Sequence, residues 1–161
     1  MNKDKKVLLV IYGEGGHRTE MLRLVSYLTA TSPNFKVVSM GAEVIGSHVL
    51  EHFSVKDVRN KHSRLNILLL FYLSISALYT AIKISRKYRI SSVISTGPGL
   101  CILPMLILRL VGAKIVFIET FCRFSSRSLS GMAMSKIAHR FYIQNEELQC
   151  LYPNAKYSGR L

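Results

Sequence analysis

Acidic residues are scarce in this chain, since nine Asp and Glu accompany 22 Lys and Arg, and the formal net charge is +13. Such an excess of positive charge usually indicates a polyanionic partner. Nucleic-acid modules tend to carry this charge in basic helices or beside stacking aromatic residues, whereas here it clusters around the most apolar part of the chain. The composition therefore favours an anionic membrane surface as the partner and predicts no binding of nucleic acid.

Cysteine is also scarce, and its pattern limits the possible sites. The three cysteines are odd in number, have no CxxC spacing and lie in or next to apolar segments, at Cys101, Cys122 and Cys150. They indicate neither a disulfide framework nor a zinc site, and they favour a reducing compartment. The apolar run near the N-terminus is only about six residues long and lacks a small-residue cleavage site, so we predict no secretory signal.

The apolar segments that are present predict an α/β fold. With 161 residues and 49% hydrophobic content, the chain can bury one sizeable core, and we predict a single domain over residues 1–161. The run VLLVIY (Val7–Tyr12) is short, rich in branched residues and stopped by glycine, which is typical of a buried parallel strand. Helix-length segments separate most of the further strand-like runs, which are FKVVSM (35–40), SVKDV (54–58), SSVIST (91–96), KIVFIE (114–119) and HRFYIQ (139–144). This alternation predicts a Rossmann-like, doubly wound, mostly parallel sheet with a ligand site at the carboxyl ends of its strands.

One segment, Leu65–Ile82, has no charged residue over 18 positions. That length reaches the lower limit for a membrane-spanning helix of about 20 residues. Basic residues flank it on both sides, against the positive-inside bias, and a span would separate the strands of one sheet. We therefore expect a helix that lies in the membrane interface with its basic flanks at the lipid head groups. A helix buried in the core or in a subunit interface, and a true span, are the alternatives.

The first strand leads into a glycine-rich loop, YGEGGHRTEML (12–22), that is a candidate phosphate-binding loop. Gly13, Gly15 and Gly16 permit close backbone approach, and the amide groups of the following helix N-terminus favour an anion. The loop is not G-x-G-x-x-G and lacks the lysine of a P-loop, so a plain strand-to-helix turn is the alternative. His17, where that helix begins, is a candidate general base, although a solvent-facing or capping residue would have the same pattern.

A second glycine-rich turn follows the strand SSVIS and consists of Thr96, Gly97, Pro98 and Gly99. Two such loops from strands of one sheet are expected to converge on one crevice, and this favours a ligand site more than either loop does alone.

A third stretch, after the strand KIVFI, carries a carboxylate and several hydroxyl groups. Glu119 ends that strand, and a carboxylate in this position is costly unless it is paired or open to a cleft. Glu119 is therefore either an ion-pair partner of Arg123, or a base or binder of sugar hydroxyls. Ser128, Ser130 and Gly131 are candidates for a third anion site at the start of a helix.

Together these stretches resemble a known family. GEGGHRTEM, STGPG, IVFIETFCRFSSRSLSG and the final YIQNEELQCLYPNAKYSGRL are similar to the family of asparagine-linked glycosylation protein fourteen and its bacterial PssD-type relatives. The most specific parts are Glu-x-x-x-Arg-x-x-x-x-Ser-Leu-Ser-Gly and the terminal Tyr-Pro-x-Ala-x-Tyr-x-Gly-x-Leu. The resemblance runs over nearly the whole chain and implies the N-terminal, acceptor-binding half of a GT-B glycosyltransferase of the MurG type.

The resemblance also implies a function in two subunits. A separate, PssE-type subunit would bind the UDP-sugar, and this chain would bind a saccharide on undecaprenyl pyrophosphate, in capsule, exopolysaccharide or O-antigen synthesis. Transfer would be inverting and β-1,4, and this chain would be inactive alone. We expect it at the cytoplasmic face of the inner membrane, with no cofactor, and with no metal because the chain has no Asp-x-Asp pair.

Family roles can be carried over to the residues that match the motifs. His17 would be the base, with Glu119 as the second candidate. The acceptor and its phosphates would contact Gly13, Gly15, Gly16, Thr96, Gly97, Pro98, Gly99, Arg123, Ser128 and Ser130. Two other functions remain open: a non-catalytic membrane anchor that activates a soluble transferase, and a free-standing nucleotide-binding Rossmann protein, which would need an acidic ribose-binding residue that the sequence does not clearly place.

Overall fold

A computed structural model of the chain describes residues 6–32, 34–56 and 65–161. In these residues seven parallel strands form one sheet in the order β3-β2-β1-β4-β5-β6-β7. Their bounds are β1 Lys6–Ile11, β2 Val37–Gly41, β3 Val49–Ser54, β4 Arg89–Ser95, β5 Lys114–Ile118, β6 Arg140–Ile143 and β7 Lys156–Tyr157. The chain first builds the sheet outward from β1 and then returns to β4 on the other side of β1. This reversal is a topological switch point, and it confirms the predicted doubly wound fold.

The four helices of the described residues pack on the two faces of the sheet. They are α1 Gly16–Thr31, α2 Leu65–Lys87, α3 Ile102–Leu110 and α4 Leu129–Ile137, with short 3-10 turns at Gly99–Cys101 and Glu146–Cys150. Alternate residues of β1 belong to different cores, because Leu8 and Val10 pack with α1 while Leu9 and Ile11 pack with the larger core on the opposite face. Since β1 is buried on both faces, its sequence is a continuous apolar run.

One predicted strand lies elsewhere. The prediction placed a strand at SVKDV (54–58), but β3 is formed by the preceding VLEHFS, and residues 57 and 58 lie outside the described part. This strand pairs only with β2 at the edge of the sheet and is partly exposed, so it does not need the apolar run of a central strand. Its Glu51 accepts hydrogen bonds from Lys87 Nζ at 2.7 Å and from the Tyr88 hydroxyl at 2.6 Å. The short edge strand β7 was not predicted.

The uncharged segment forms most of α2, which continues beyond the predicted end at Ile82 to Lys87. Burial is described for residues 72–87 of this helix. On one side of this part Leu73, Ala77, Ala81 and Ile84 are buried in the core. The other side exposes the apolar residues Tyr72, Ile75 and Tyr79. Among the described residues no helix is sufficiently long and apolar to span a bilayer. One side of α2 thus packs as the core-helix alternative predicts, whereas contact of its exposed side with a membrane remains a prediction.

Candidate functional site

Three loops at the carboxyl ends of β1, β4 and β5 line one cleft of about 360 Å³. They are the three stretches that the sequence singled out, and their convergence follows from the switch point between β1 and β4. The cleft is lined by Gly16, His17, Gly97, Gly99, Thr120, Cys122, Arg123, Ser128, Leu129 and Ser130. The concave surface of this cleft thus combines glycine backbone groups, hydroxyl groups, the guanidinium of Arg123 and the imidazole of His17.

The first loop presents the start of α1 to this cleft. Gly15 is the N-cap of the helix with φ of 63°, a left-handed conformation that other residues rarely adopt. Because glycine has no side-chain oxygen, the N-cap does not occupy the amide groups of the first turn, and these groups are suited to bind an anion. Gly16 and His17 follow directly and line the cleft.

The imidazole of His17 has a defined orientation. Its Nδ1 lies 2.6 Å from the carbonyl oxygen of Thr96, and the Thr96 hydroxyl donates to the carbonyl of His17 at 2.8 Å. Since a carbonyl oxygen can only accept a hydrogen bond, Nδ1 carries the hydrogen, and in the neutral ring Nε2 holds the free lone pair. The side chain is 17% exposed and lines the cleft, so its Nε2 is oriented as a general base requires, and the role of base remains a prediction.

The second loop reaches both of its neighbours through Gly97. This glycine has φ of 108°, and a Cβ there would lie 3.2 Å from Cε1 of His17. Its carbonyl accepts a hydrogen bond from the Ser130 hydroxyl at 2.7 Å. Gly97 therefore allows close packing against His17 on one side and connects to the third loop on the other.

Glu119 faces inward and stabilises the third loop. The residue is fully buried, and its carboxylate accepts hydrogen bonds from the Ser128 and Tyr152 hydroxyls at 2.9 Å and from the Thr120 amide at 3.2 Å. Burial, reinforced by the charge of Glu119, raises the pKa of the Tyr152 phenol, so this hydroxyl stays protonated as a donor. Ser128 also accepts from the Gly131 amide at 2.8 Å and caps α4.

Not all of the predicted site residues reach the cleft. Those that line it are Gly16, His17, Gly97, Gly99, Arg123, Ser128 and Ser130. Behind this surface lie Gly13, Thr96 and Pro98, which are buried, while Gly15 lines a neighbouring pocket with Glu14 and Arg18. The alternative of an ion pair between Glu119 and Arg123 is not found among the described residues, and the Arg123 guanidinium instead donates to the Ser126 hydroxyl at 3.1 Å.

The structure adds residues that sequence reasoning missed. Glu20 is 1% exposed, and its Oε2 lies 3.6 Å from Nδ1 of His17. The His-x-x-Glu spacing was a signal for this pair, because residues three apart share one face of a helix. Thr120, Cys122 and Leu129 complete the cleft lining. Among the described residues no group of three or more His, Cys, Asp and Glu side chains is placed to hold a metal ion.

Comparison with known proteins identifies the family. Residues 8–161 match the family described as "Oligosaccharide biosynthesis protein Alg14 like". This chain belongs to the Alg14 family. The mouse protein named UDP-N-acetylglucosamine transferase subunit ALG14 is 29% identical over 178 residues, covering 96% of this chain and 82% of the mouse protein. The Schizosaccharomyces pombe protein of the same name is 30% identical over 175 residues, covering 96% of this chain and 83% of that protein.

Solved structures relate the fold of this Alg14-family chain to larger proteins. MurG from Acinetobacter baumannii matches with a TM-score of 0.63 at 14% identity, covering 98% of this chain and 44% of MurG. A UDP-N-acetylglucosamine 2-epimerase matches with a TM-score of 0.65 at 12% identity, covering 94% of this chain and 46% of the epimerase. The chain thus spans less than half of either protein. The predicted equivalence to the N-terminal half of a GT-B glycosyltransferase is confirmed at the level of the fold.

Proposed function

We propose that this chain is the acceptor-binding subunit of a two-subunit glycosyltransferase, which transfers a sugar from a UDP-sugar to a hydroxyl group of a lipid-linked saccharide. The observation that carries this proposal is the hydrogen bond of 2.6 Å between His17 Nδ1 and the Thr96 carbonyl, because it leaves Nε2 as a base at the wall of the cleft. The names of the mouse and yeast relatives support it, since both are UDP-N-acetylglucosamine transferase subunits.

The proposed reaction is a single inverting displacement. Nε2 of His17 takes the proton of the acceptor hydroxyl, whose oxygen forms the new bond to the anomeric carbon of the sugar. The bond between that carbon and the diphosphate oxygen breaks, and its electron pair leaves with UDP. The leaving diphosphate is stabilised by groups of the donor-binding subunit, so this chain contributes the base and the position of the acceptor.

The cleft suits an acceptor that carries phosphate. The N-terminus of α1 and the guanidinium of Arg123 lie at the same surface as His17, and both favour negative charge. We propose a saccharide on undecaprenyl pyrophosphate, β-1,4 transfer, and a PssE-type donor-binding partner, in the synthesis of capsule, exopolysaccharide or O-antigen. Glu119, fully buried and held by three donors, is proposed to support the third loop instead of acting as the base.

Reconstitution tests this function. Radiolabelled UDP-N-acetylglucosamine, UDP-glucose and UDP-galactose are incubated with lipid extract of the native host and with this chain, with a PssE-type donor-binding subunit of the same host, or with both. We expect labelled lipid only when both subunits are present. Transfer by the partner alone would instead support the non-catalytic anchor and activator, and transfer by this chain alone would contradict a divided enzyme.

We also propose that the exposed side of α2 lies on the cytoplasmic face of the inner membrane. Two of its apolar side chains, Tyr72 and Tyr79, are 67% and 71% exposed, and the basic residues Lys83, Arg86 and Lys87 follow on the same helix. Tyrosine is favoured at the membrane interface, and basic residues are attracted to anionic lipid.

Vesicle binding tests this membrane contact. The double replacement Tyr72→Glu and Tyr79→Glu is expected to lower cosedimentation with phosphatidylethanolamine vesicles containing phosphatidylglycerol by about tenfold, because it removes apolar contact and adds like charge. Tyr27→Glu is the matched control, since Tyr27 is 68% exposed but lies on α1, on the opposite face of the sheet. Equal losses in the control and the double variant would contradict the assignment to α2.

A further inference from the structure

We infer that Glu20 is a positioning residue of the transfer reaction, which acts through His17 by stabilising the protonated form of its imidazole. This inference rests on the proposed function of His17 as the base. It assigns a role to a buried carboxylate that takes no part in the hydrogen bonds that hold Glu119 and Ser128.

One oxygen of Glu20 is held firmly by the third loop and the end of β6. Oε1 accepts hydrogen bonds from the Phe121 amide at 2.9 Å, from the Thr120 hydroxyl at 3.1 Å and from the Gln144 side-chain amide at 3.1 Å. Since Gln144 is also fully buried, these donors fix the position of a carboxylate that water does not reach. The remaining oxygen therefore has a defined direction.

That remaining oxygen faces the imidazole. Oε2 of Glu20 has no hydrogen-bond partner within the described residues, and it lies 3.6 Å from Nδ1 of His17. The N–H group at Nδ1 donates to the Thr96 carbonyl and not to Glu20. The neutral ring therefore does little to offset the cost of burying Oε2. A buried carboxylate oxygen without a donor is costly, and the cost falls when a positive charge appears beside it.

Proton transfer supplies that charge. When Nε2 of His17 takes the proton of the acceptor hydroxyl, the imidazole becomes a cation next to the fixed carboxylate. The attraction between Glu20 and His17 is thus stronger in the transition state than in the ground state, and such an interaction raises kcat without tightening substrate binding. Thr96 and Glu20 act on His17 in different ways. The Thr96 carbonyl fixes the tautomer of the neutral imidazole, and the Glu20 carboxylate stabilises the positive charge of the protonated imidazole.

The substitution Glu20→Gln separates charge from structure. Glutamine retains an oxygen for the three donors at Oε1 but removes the negative charge that faces His17. In the two-subunit assay with radiolabelled UDP-sugar, we expect kcat to fall about 10²-fold. KM for the lipid acceptor should stay within about threefold, because the interaction develops only in the transition state. Glu20→Asp restores the charge and should recover part of the lost kcat.

Two controls test whether Glu20 acts through His17. Glu147→Gln removes an exposed carboxylate outside the cleft lining and should leave kcat unchanged. In the His17→Ala background, Glu20→Gln should cost less than about twofold, because residues that act as one unit are not additive. Thermal unfolding and copurification with the partner subunit are measured for every variant.

The outcomes distinguish this inference from the proposed function. Absence of transfer with the two wild-type subunits would overturn the proposed function and this inference with it. Full kcat in Glu20→Gln beside an active wild type would overturn the role of Glu20 alone. So would a loss of kcat that Glu20→Asp does not relieve, or one that matches a loss of folded protein or of complex.

Discussion

Replacing His17 by alanine is expected to lower the rate of sugar transfer by about 10³-fold, the middle of the range for a general base. The ring is held with Nδ1 2.6 Å from the Thr96 carbonyl, so Nε2 is the nitrogen free to accept the proton of the acceptor hydroxyl. Alanine leaves only the positioning and electrostatic contributions of the complex, which do not remove this proton. KM for the acceptor should change little in comparison.

The measurement is steady-state transfer by the two-subunit complex, with copurification as the test of assembly. His48→Ala is the matched control, since this histidine is exposed in the loop before β3 and does not line the cleft. We expect both variants to bind the partner and the control to keep its full rate. A His17→Ala complex that transfers sugar at a rate near the wild type would rule out the proposed base.

Replacing Gly131 by alanine is expected to lower the free energy of unfolding by about 3 kcal/mol, the upper range for overpacking of a buried site. A Cβ at this position would overlap the Oε2 of Glu119 and the hydroxyl of Tyr152, and it would lie 2.9 Å from the Ser128 hydroxyl. These are the groups that hold Glu119, so α4 must shift or the carboxylate must lose its donors.

Thermal unfolding measures this effect, and a domain of this size should lose roughly 6–12 °C in Tm. Gly99→Ala is the matched control, because a Cβ there has no neighbour within 4 Å and its backbone is not in the left-handed region. The control should unfold near the wild-type temperature. Equal Tm values for Gly131→Ala and the wild type would show that the space around Glu119 adapts without cost.

Gly131 is connected to His17 through hydrogen bonds of the second and third loops. Glu119 holds Ser128, the adjacent Ser130 hydroxyl donates to the Gly97 carbonyl at 2.7 Å, and Gly97 packs against His17. Disturbing Gly131 should therefore also reduce transfer, although Gly131 is not among the residues that line the cleft. The two carboxylates have different partners: among the described residues the hydrogen-bond donors of the Glu119 carboxylate are neutral, whereas Glu20 Oε2 lies 3.6 Å from the imidazole of His17.

Much of the fold was predictable because its signals are local. The runs at β1 and β5 are mostly apolar because strands in the middle of a parallel sheet are covered on both faces. The edge strand β3 was misplaced for the converse reason, since its Glu51 and His52 are tolerated where only one neighbouring strand is present. The sequence pattern also did not show which side of α2 is exposed, because the exposed Tyr72 and Tyr79 are apolar like the buried residues beside them.

The sequence by itself determined the fold class, the family and the three loops. Apolar strand runs, glycine positions and family motifs are each recognisable within a short stretch of sequence. Only the tertiary structure decided which loop residues face the cleft and which carboxylate faces the imidazole of His17. His17 and Thr96 are 79 positions apart, and Glu20 and Thr120 are 100 positions apart. Contacts over such separations depend on how the sheet brings its strand ends together, which no local pattern records.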